Sequence, residues 1–139
     1  MPKLPSKTTM TRRLDNLARE ICKLKYNYTC QKCGYQSDGT EIQWAHIEAR
    51  AKKGGMLRWH ENNSLALCAG IYTNHCHSWF DSNKVASVEW LKEHFPEKHE
   101  WLYEDVNGKP RSAWTVKESV LDWLELEKEL KQRLKELKQ

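Results

Sequence analysis

The sequence predicts an α+β fold in which a small strand-containing core lies between an N-terminal helix and a long C-terminal helix. Two short segments alternate polar and apolar residues, as strands with one buried face do. The flanking segments carry apolar residues three and four positions apart, which is the spacing of one helix face. Four cysteines in two arms enclose the strand segments, so one metal ion can tie the core together.

The composition indicates an ordered protein of one domain. A chain of 139 residues suits one domain with an appended helix. Charged residues make up 30% and the mean hydropathy is −0.87, but seven tryptophans and five tyrosines argue against disorder. No apolar run has the length of a membrane span, and no signal-peptide core follows Met1. We therefore expect a cytoplasmic protein.

The cysteine spacing predicts a structural zinc site rather than disulfides. The candidate ligands are Cys30, Cys33, Cys68 and Cys76. In a reducing compartment a Cys-x-x-Cys arm favours zinc. His75 fits the distance as an alternative to Cys76, but four thiolates make a common closed site. The fifth cysteine, Cys22, lies outside this set and is predicted to be a small buried residue.

The charge is distributed unevenly along the chain. Residues 1–60 carry twelve Lys and Arg against five Asp and Glu, whereas residues 61–139 carry eleven against fourteen. A one-sided basic excess is typical of a surface that binds phosphates, so DNA is the expected partner. The candidate DNA-binding residues of the core are Arg50, Lys52, Lys53 and Arg58.

The chain divides into four segments. Residues 1–10 are predicted to be a flexible tail and residues 11–27 a basic N-terminal helix. Residues 28–96 form the core domain, with strands at 41–46 and 64–67, a short helix that opens at Cys76, and a helix over 85–95.

Residues 97–139 are predicted to be a C-terminal helical extension. A turn is expected at Val106-Asn107-Gly108, and helical spacing extends from Thr115 to Gln139. This amphipathic helix either packs on the domain or forms a short coiled coil, which would give a homodimer.

Three polar residues stand in a recognisable order between and beside the cysteines, as His46-x16-Asn63-x13-His77. Together with Trp44-Ala45-His46-Ile47, Asn63-x4-Cys68 and Cys76-His77, this pattern resembles the HNH endonuclease family over about residues 28–82. The resemblance implies a ββα-metal fold, in which a hairpin and a helix hold one catalytic ion beside a four-cysteine zinc site. The segment from Cys76 to Phe80 is similar to the phage-borne recombination endonucleases of that family, which would place the protein in a bacterial host cell.

The resemblance also implies roles for these residues. His46 would be the general base that activates water, and Asn63 would hold the loop that orients this base. Asn63 is preferred to Asn62 because it lies five residues before the third cysteine. His77 would bind a catalytic Mg²⁺ or Mn²⁺, and the activity would be hydrolysis of DNA phosphodiester bonds by nicking or double-strand cleavage.

One position departs from the family pattern. Many members carry a metal-binding Asp or His directly before the first histidine, where this chain has Ala45. Asp81 is the best replacement ligand, because positions i and i+4 lie on one face of a helix with His77. Glu48 and His60 are further candidates.

Two other functions remain open. Ala45 suits a catalytically inactive, zinc-stabilised DNA-binding module, since a missing ligand can mark a degenerate site. A zinc domain that binds proteins through its C-terminal helix would show no affinity for DNA. Taken singly, a histidine or asparagine of this kind is more often a core or turn residue, so the nuclease hypothesis depends on their joint occurrence.

Overall fold

The computed structural model describes residues 3–48, 55–106, 108–114 and 117–139. It confirms the mixed α+β class. In chain order the elements are α1 (Lys7–Lys25), β1 (Ile42–His46), α2 (Gly55–Arg58), a 3-10 helix (Glu61–Asn63), β2 (Ser64–Cys68), α3 (Cys76–Ser82), α4 (Lys84–His94), α5 (Pro96–Tyr103), β3 (Asp105–Val106), β4 (Lys109–Pro110), a second 3-10 helix (Arg111–Ala113) and α6 (Val120–Leu137).

Helix α1 begins earlier than predicted. The Ser6 hydroxyl accepts a hydrogen bond from the backbone N–H of Thr9 at 3.1 Å, which caps the first turn. Met10 is fully buried. Residues 7–10 therefore belong to the helix rather than to a flexible tail, because a cap and a core contact stabilise this turn.

The predicted hairpin is confirmed. Strands β1 and β2 pair antiparallel, with Ile42 opposite Cys68 and His46 opposite Ser64. Every residue of β2 is buried, so this strand is the centre of the core. Helix α3 follows after a loop, which gives the order strand, strand, helix around the cysteines.

The segment between the core and the last helix contains an element that the sequence did not indicate. Helix α5 starts with Pro96, which is well placed at a first helical position because its missing N–H costs no hydrogen bond there. A small β3–β4 hairpin follows, with Gly108 at φ 91° in the predicted turn. Asn107, the middle residue of that turn, lies outside the described residues.

Helix α6 begins at Val120, later than the predicted Thr115, because Ser119 and Asp122 form a reciprocal capping box. It packs along α1, where the buried Glu127 accepts a hydrogen bond from Nε of Arg13 at 2.7 Å and Leu130 enters the core. The apolar face of α6 thus has a partner within the chain. A homodimer through this helix stays a prediction.

In the described part of the chain, every helix is too short or too polar to cross a membrane.

Candidate metal centre and active site

The four predicted zinc ligands lie together. Their sulfur atoms are all within 4.8 Å of one another, and Sγ of Cys33 is 3.7 Å from Sγ of Cys68. Four thiolates about 2.3 Å from a tetrahedral zinc ion are about 3.8 Å apart, whereas a disulfide bond measures about 2.05 Å. The cluster is therefore compatible with a structural zinc site, and it contains Cys76 rather than His75.

The first cysteine arm is shaped by backbone hydrogen bonds. The N–H of Cys30 donates to the carbonyl of Tyr35 at 2.7 Å, and the N–H of Gly34 donates back to the carbonyl of Cys30 at 2.9 Å. Gly34 has φ 83°, a conformation that glycine adopts without strain. The N–H of Gln31 donates to Ala66 of β2, so the first arm is attached directly to the strand that carries Cys68.

The second arm contains a long loop, because seven residues separate Cys68 from Cys76 where a compact knuckle has two. Its middle is open to solvent, since Ile71 and Tyr72 are 86% and 87% exposed. The loop returns through a turn in which the N–H of Thr73 donates to the carbonyl of Gly70. Helix α3 then begins at Cys76. The extra residues leave the cysteine geometry intact because they extend outward from the cluster.

The surroundings shift the pKa values of the thiols in different directions. Burial raises the pKa of Cys30 and of Cys76. Burial acts in the same direction on Cys33, but hydrogen bonds from the Asn74 side chain and the Tyr35 backbone outweigh it and lower its pKa to about 7. One thiol of the cluster thus ionises near neutral pH, which favours binding of a metal cation.

His46 ends β1 and is held by a backbone carbonyl. Its Nε2 lies 2.9 Å from the oxygen of Arg58. Since a carbonyl only accepts, Nε2 of His46 donates a proton to it. The ring also contacts that of Trp44, with 4.2 Å between centroids. The orientation of His46 is therefore defined by its neighbours.

Asn63 is fully buried and connects the end of β1 to helix α2. Its Oδ1 accepts the N–H of Glu48 at 2.8 Å, and its Nδ2 donates to the carbonyls of Glu48 at 3.2 Å and Leu57 at 3.0 Å. Leu57 directly precedes Arg58, whose carbonyl holds His46. Asn62 instead donates its backbone N–H to His60, so Asn63 is the asparagine that links these segments.

His77 and Asp81 face each other on α3. Nε2 of His77 is 3.3 Å from Oδ2 of Asp81. Nδ1 of His77 lies 2.8 Å from Oε1 of Gln43 on β1. Because an amide oxygen only accepts, Nδ1 donates to Gln43, and Nε2 faces the Asp81 carboxylate, which also only accepts.

Sequence reasoning missed Gln43. It precedes Ala45 by two residues, and strand alternation places residues i and i+2 on one face of a sheet. Ala45 stands where many members of the family carry a metal ligand, so strand alternation would have indicated Gln43 as the polar residue on the same face. Ala45 itself is fully buried and offers no donor atom. Gln43 and His46 lie about 10 Å apart along β1, and their separation of three positions places them on opposite faces of the strand. The strand therefore does not bring His46 and His77 together on one face.

The two alternative ligands have other partners. Oε2 of Glu48 lies 3.4 Å from Nζ of Lys84. His60 stacks on Trp101 with 3.9 Å between centroids, and burial lowers its pKa to about 4. Within the described ranges, the cysteines form the one group of three or more ligands around a common point, so His77 and Asp81 stand as a pair.

The predicted DNA-binding residues lie only partly within the described chain. Arg50, Lys52 and Lys53 lie outside the described residues. The guanidinium of Arg58 has an internal partner, because its Nε and Nη2 donate to the Asp15 carboxylate at 2.9 and 2.7 Å. Arg58 thus joins α2 to α1, and its contact with DNA stays a prediction.

A cleft of about 860 Å³ lies elsewhere, beside α5 and α6. None of its lining residues is among the predicted catalytic ones. Its aromatic walls already have cationic partners, since Arg111 lies 4.8 Å from the Trp101 ring and 5.6 Å from the Trp114 ring. The lining of this cleft contains neither His46 nor His77.

Comparisons of the chain with family models, curated proteins and solved structures gave no match. The family resemblance accordingly depends on the motifs and on the geometry of the residues they contain.

Proposed function

We propose that this protein is a metal-dependent endonuclease of the HNH type that hydrolyses phosphodiester bonds of DNA. The observation that carries the proposal is the pair of oriented histidines, in which Nε2 of His46 contacts a backbone carbonyl and Nδ1 of His77 contacts Gln43 while Asp81 lies beside its Nε2. His46 is protonated on Nε2 and His77 on Nδ1, because a carbonyl and an amide oxygen accept from them. His46 would accept the proton of a water molecule, and His77 would bind a cation through Nε2 on the side of Asp81.

His46 would act as the general base. A neutral imidazole takes a proton from water near neutral pH, and the Arg58 carbonyl stabilises the imidazolium that results. Asn63 acts as a positioning residue, since it binds the carbonyl of Leu57 next to Arg58. Because Asn63 is fully buried, water does not compete for its hydrogen bonds.

His77 and Asp81 would hold the divalent ion, Mg²⁺ or Mn²⁺. Their 3.3 Å separation fits two neighbouring ligands of one octahedral ion, which at about 2.1 Å from the metal are about 3.0 Å apart. When bound, such an ion neutralises charge on the phosphate and stabilises the leaving oxygen. Gln43 orients His77 through the ring nitrogen that does not bind the metal, as is usual for histidine ligands.

The thiolate cluster would serve as the scaffold. It joins the knuckle at residues 30–33 to the end of β2 and the start of α3, and α3 carries His77. Zinc at this site would couple folding of the core to the position of the catalytic helix.

A zinc-stabilised DNA-binding module without catalysis is the second candidate. The buried Ala45 favours it, because the described residues supply only two ligands for a catalytic ion where the family pattern has a further one. Such a protein would bind DNA and one zinc ion and would leave the DNA intact.

Supercoiled plasmid incubated with Mg²⁺ or Mn²⁺ distinguishes these functions. We expect nicked or linear product that EDTA abolishes and that His46→Ala and His77→Ala remove. His94→Ala is the matched control, since His94 is an exposed histidine on α4. Plasmid that stays supercoiled with wild-type protein, or cleavage that His46→Ala retains, contradicts the nuclease proposal.

A further inference from the structure

We infer that the outer side of helix α1 is a binding surface for the phosphate backbone of duplex DNA that leads to His46. The surface consists of Lys7, Thr8, Thr11, Arg12, Asn16 and Arg19, hereafter the α1 surface. This inference rests on the proposed function for the choice of DNA as the ligand. It adds a substrate-binding surface outside the core domain.

The α1 surface is a continuous stripe of one helix. Its residues recur at spacings of one, three and four, so their side chains lie beside one another. They line a groove of about 420 Å³. From Lys7 to Arg19 the helix rises about 18 Å, which matches on the order of five nucleotides of one strand along a duplex.

The cations of the α1 surface differ from the other arginines in their pairing. Arg13 and Arg133 have carboxylate partners in Glu127 and Glu61. Arg12 and Arg19 form no ion pair with any residue that the structure describes; Arg19 donates to the amide oxygen of Asn16. Their positive charge is therefore not neutralised within the described chain.

The remaining residues of the groove are consistent with an anionic ligand. Nζ of Lys7 donates to the Glu118 backbone carbonyl, a neutral acceptor, at 2.9 Å. Asp15 borders the groove, but its carboxylate is bound by the Arg58 guanidinium and by Nε1 of Trp59 at 2.8 Å. The hydroxyls of Thr8 and Thr11 add neutral donors of the kind that contact phosphate oxygens.

Two connections join the α1 surface to the candidate general base. The Arg19 guanidinium carbon lies 5.7 Å from the centre of the Trp44 ring, and Trp44 contacts His46. The second connection is Arg58, whose side chain binds Asp15 on α1 and whose carbonyl holds His46. A strand bound along α1 would thus approach the ring that is proposed to activate water.

The test is binding of a fluorescein-labelled DNA duplex in EDTA, where no cleavage occurs, followed by anisotropy over a series of salt concentrations. We expect R12Q/R19Q to bind roughly tenfold or more weakly at about 0.1 M salt and to lower the slope of log K against log salt by about 2. The control K128Q/K135Q removes the same charge from exposed positions of α6 and should leave both quantities near wild type.

The outcomes separate this inference from the proposed function. Equal affinity and salt slope for R12Q/R19Q and wild type would overturn the α1 surface and leave the nuclease proposal intact. Equal losses of affinity in R12Q/R19Q and K128Q/K135Q would also overturn the α1 surface, because DNA binding would then depend on the total positive charge and not on its position. Binding through α1 by a protein that never nicks plasmid would support the surface and contradict the nuclease. Absence of duplex binding by wild-type protein at low salt would overturn the inference, and plasmid nicking would still test the nuclease separately.

Discussion

The imidazole of His77 donates from Nδ1 to Oε1 of Gln43 at 2.8 Å, and this hydrogen bond joins helix α3 to strand β1. It determines which ring nitrogen lies on the side of Asp81. Gln43, which lies outside the family motif, therefore orients the ring of His77, which belongs to it.

Removing this hydrogen bond should weaken the proposed catalytic metal site. We expect Gln43→Ala to lower metal affinity about 10- to 100-fold, because the His77 ring loses its orientation. The measurement is plasmid nicking against Mn²⁺ concentration, in which half-maximal rate would move to higher metal. Gln132→Ala on α6 is the control. An unchanged metal dependence in Gln43→Ala would show that the contact has no part in metal binding.

Asn63 should contribute more to stability than its neighbour. Asn63→Ala removes three hydrogen bonds from a fully buried position and leaves backbone groups without partners. We expect a loss of about 3 kcal/mol in the free energy of unfolding. Urea denaturation measures it, with Asn62→Ala expected to lie within about 1 kcal/mol of wild type. Similar losses in both variants would refute the linking role assigned to Asn63.

The cysteines of the cluster should differ from Cys22 in their effect on zinc. Cys68→Ser removes a buried thiolate ligand, so we expect loss of bound zinc and of cooperative folding. Cys22→Ala lies outside the cluster and should keep one zinc per chain, at a cost of about 1 kcal/mol for the lost sulfur. Metal analysis and thermal unfolding provide the readouts. A Cys68→Ser protein with wild-type zinc content would disprove the assignment.

His60 should make folding sensitive to acid. Burial, together with nearby Lys98, Arg111 and Lys25, lowers its pKa from 6.5 to about 4, although Glu61 opposes this. Between these values the unfolded chain binds a proton that the folded chain does not, so stability falls as the pH decreases from about 6.5 to 4.

The His60 contribution can be measured against a non-titrating variant. We expect wild-type protein to lose about 2 kcal/mol more than His60→Asn on going from about pH 7 to pH 4, a value reduced for partial exposure of the ring. Urea denaturation at both pH values gives the difference. Parallel pH dependences in the two proteins would mean that His60 titrates normally in the folded state.

Several features of the site were predictable because they depend on local pattern. Cys30 and Cys33 lie three positions apart, so a tight turn brings their sulfurs together. The alternation around Trp44 and Leu65 indicates two strands, which the structure pairs across the connection at residues 47–63. The i, i+4 relation of His77 and Asp81 follows from helix geometry alone.

Other features depended on contacts between distant segments. The partner of Arg58 is Asp15, 43 positions away, and no local rule selects a carboxylate of α1 over a phosphate. Likewise the pairing of Arg13 with Glu127 spans 114 positions and places α6 on α1. These contacts are decided by which helix faces are buried together, and burial is a property of the whole chain.

The sequence by itself determined the α+β class, the thiolate cluster and the order of the candidate catalytic residues, because these follow from residue type and short-range spacing. Only the tertiary structure decided the hydrogen-bond partners of His46 and His77 and the ion pairs of Arg13, Arg58 and Arg133. The reason is physical. The hydrogen bonds of a ring nitrogen or a guanidinium depend on the acceptor beside it. Arg58, Gln43 and Asp15 reach their partners only once the helices and the hairpin have packed.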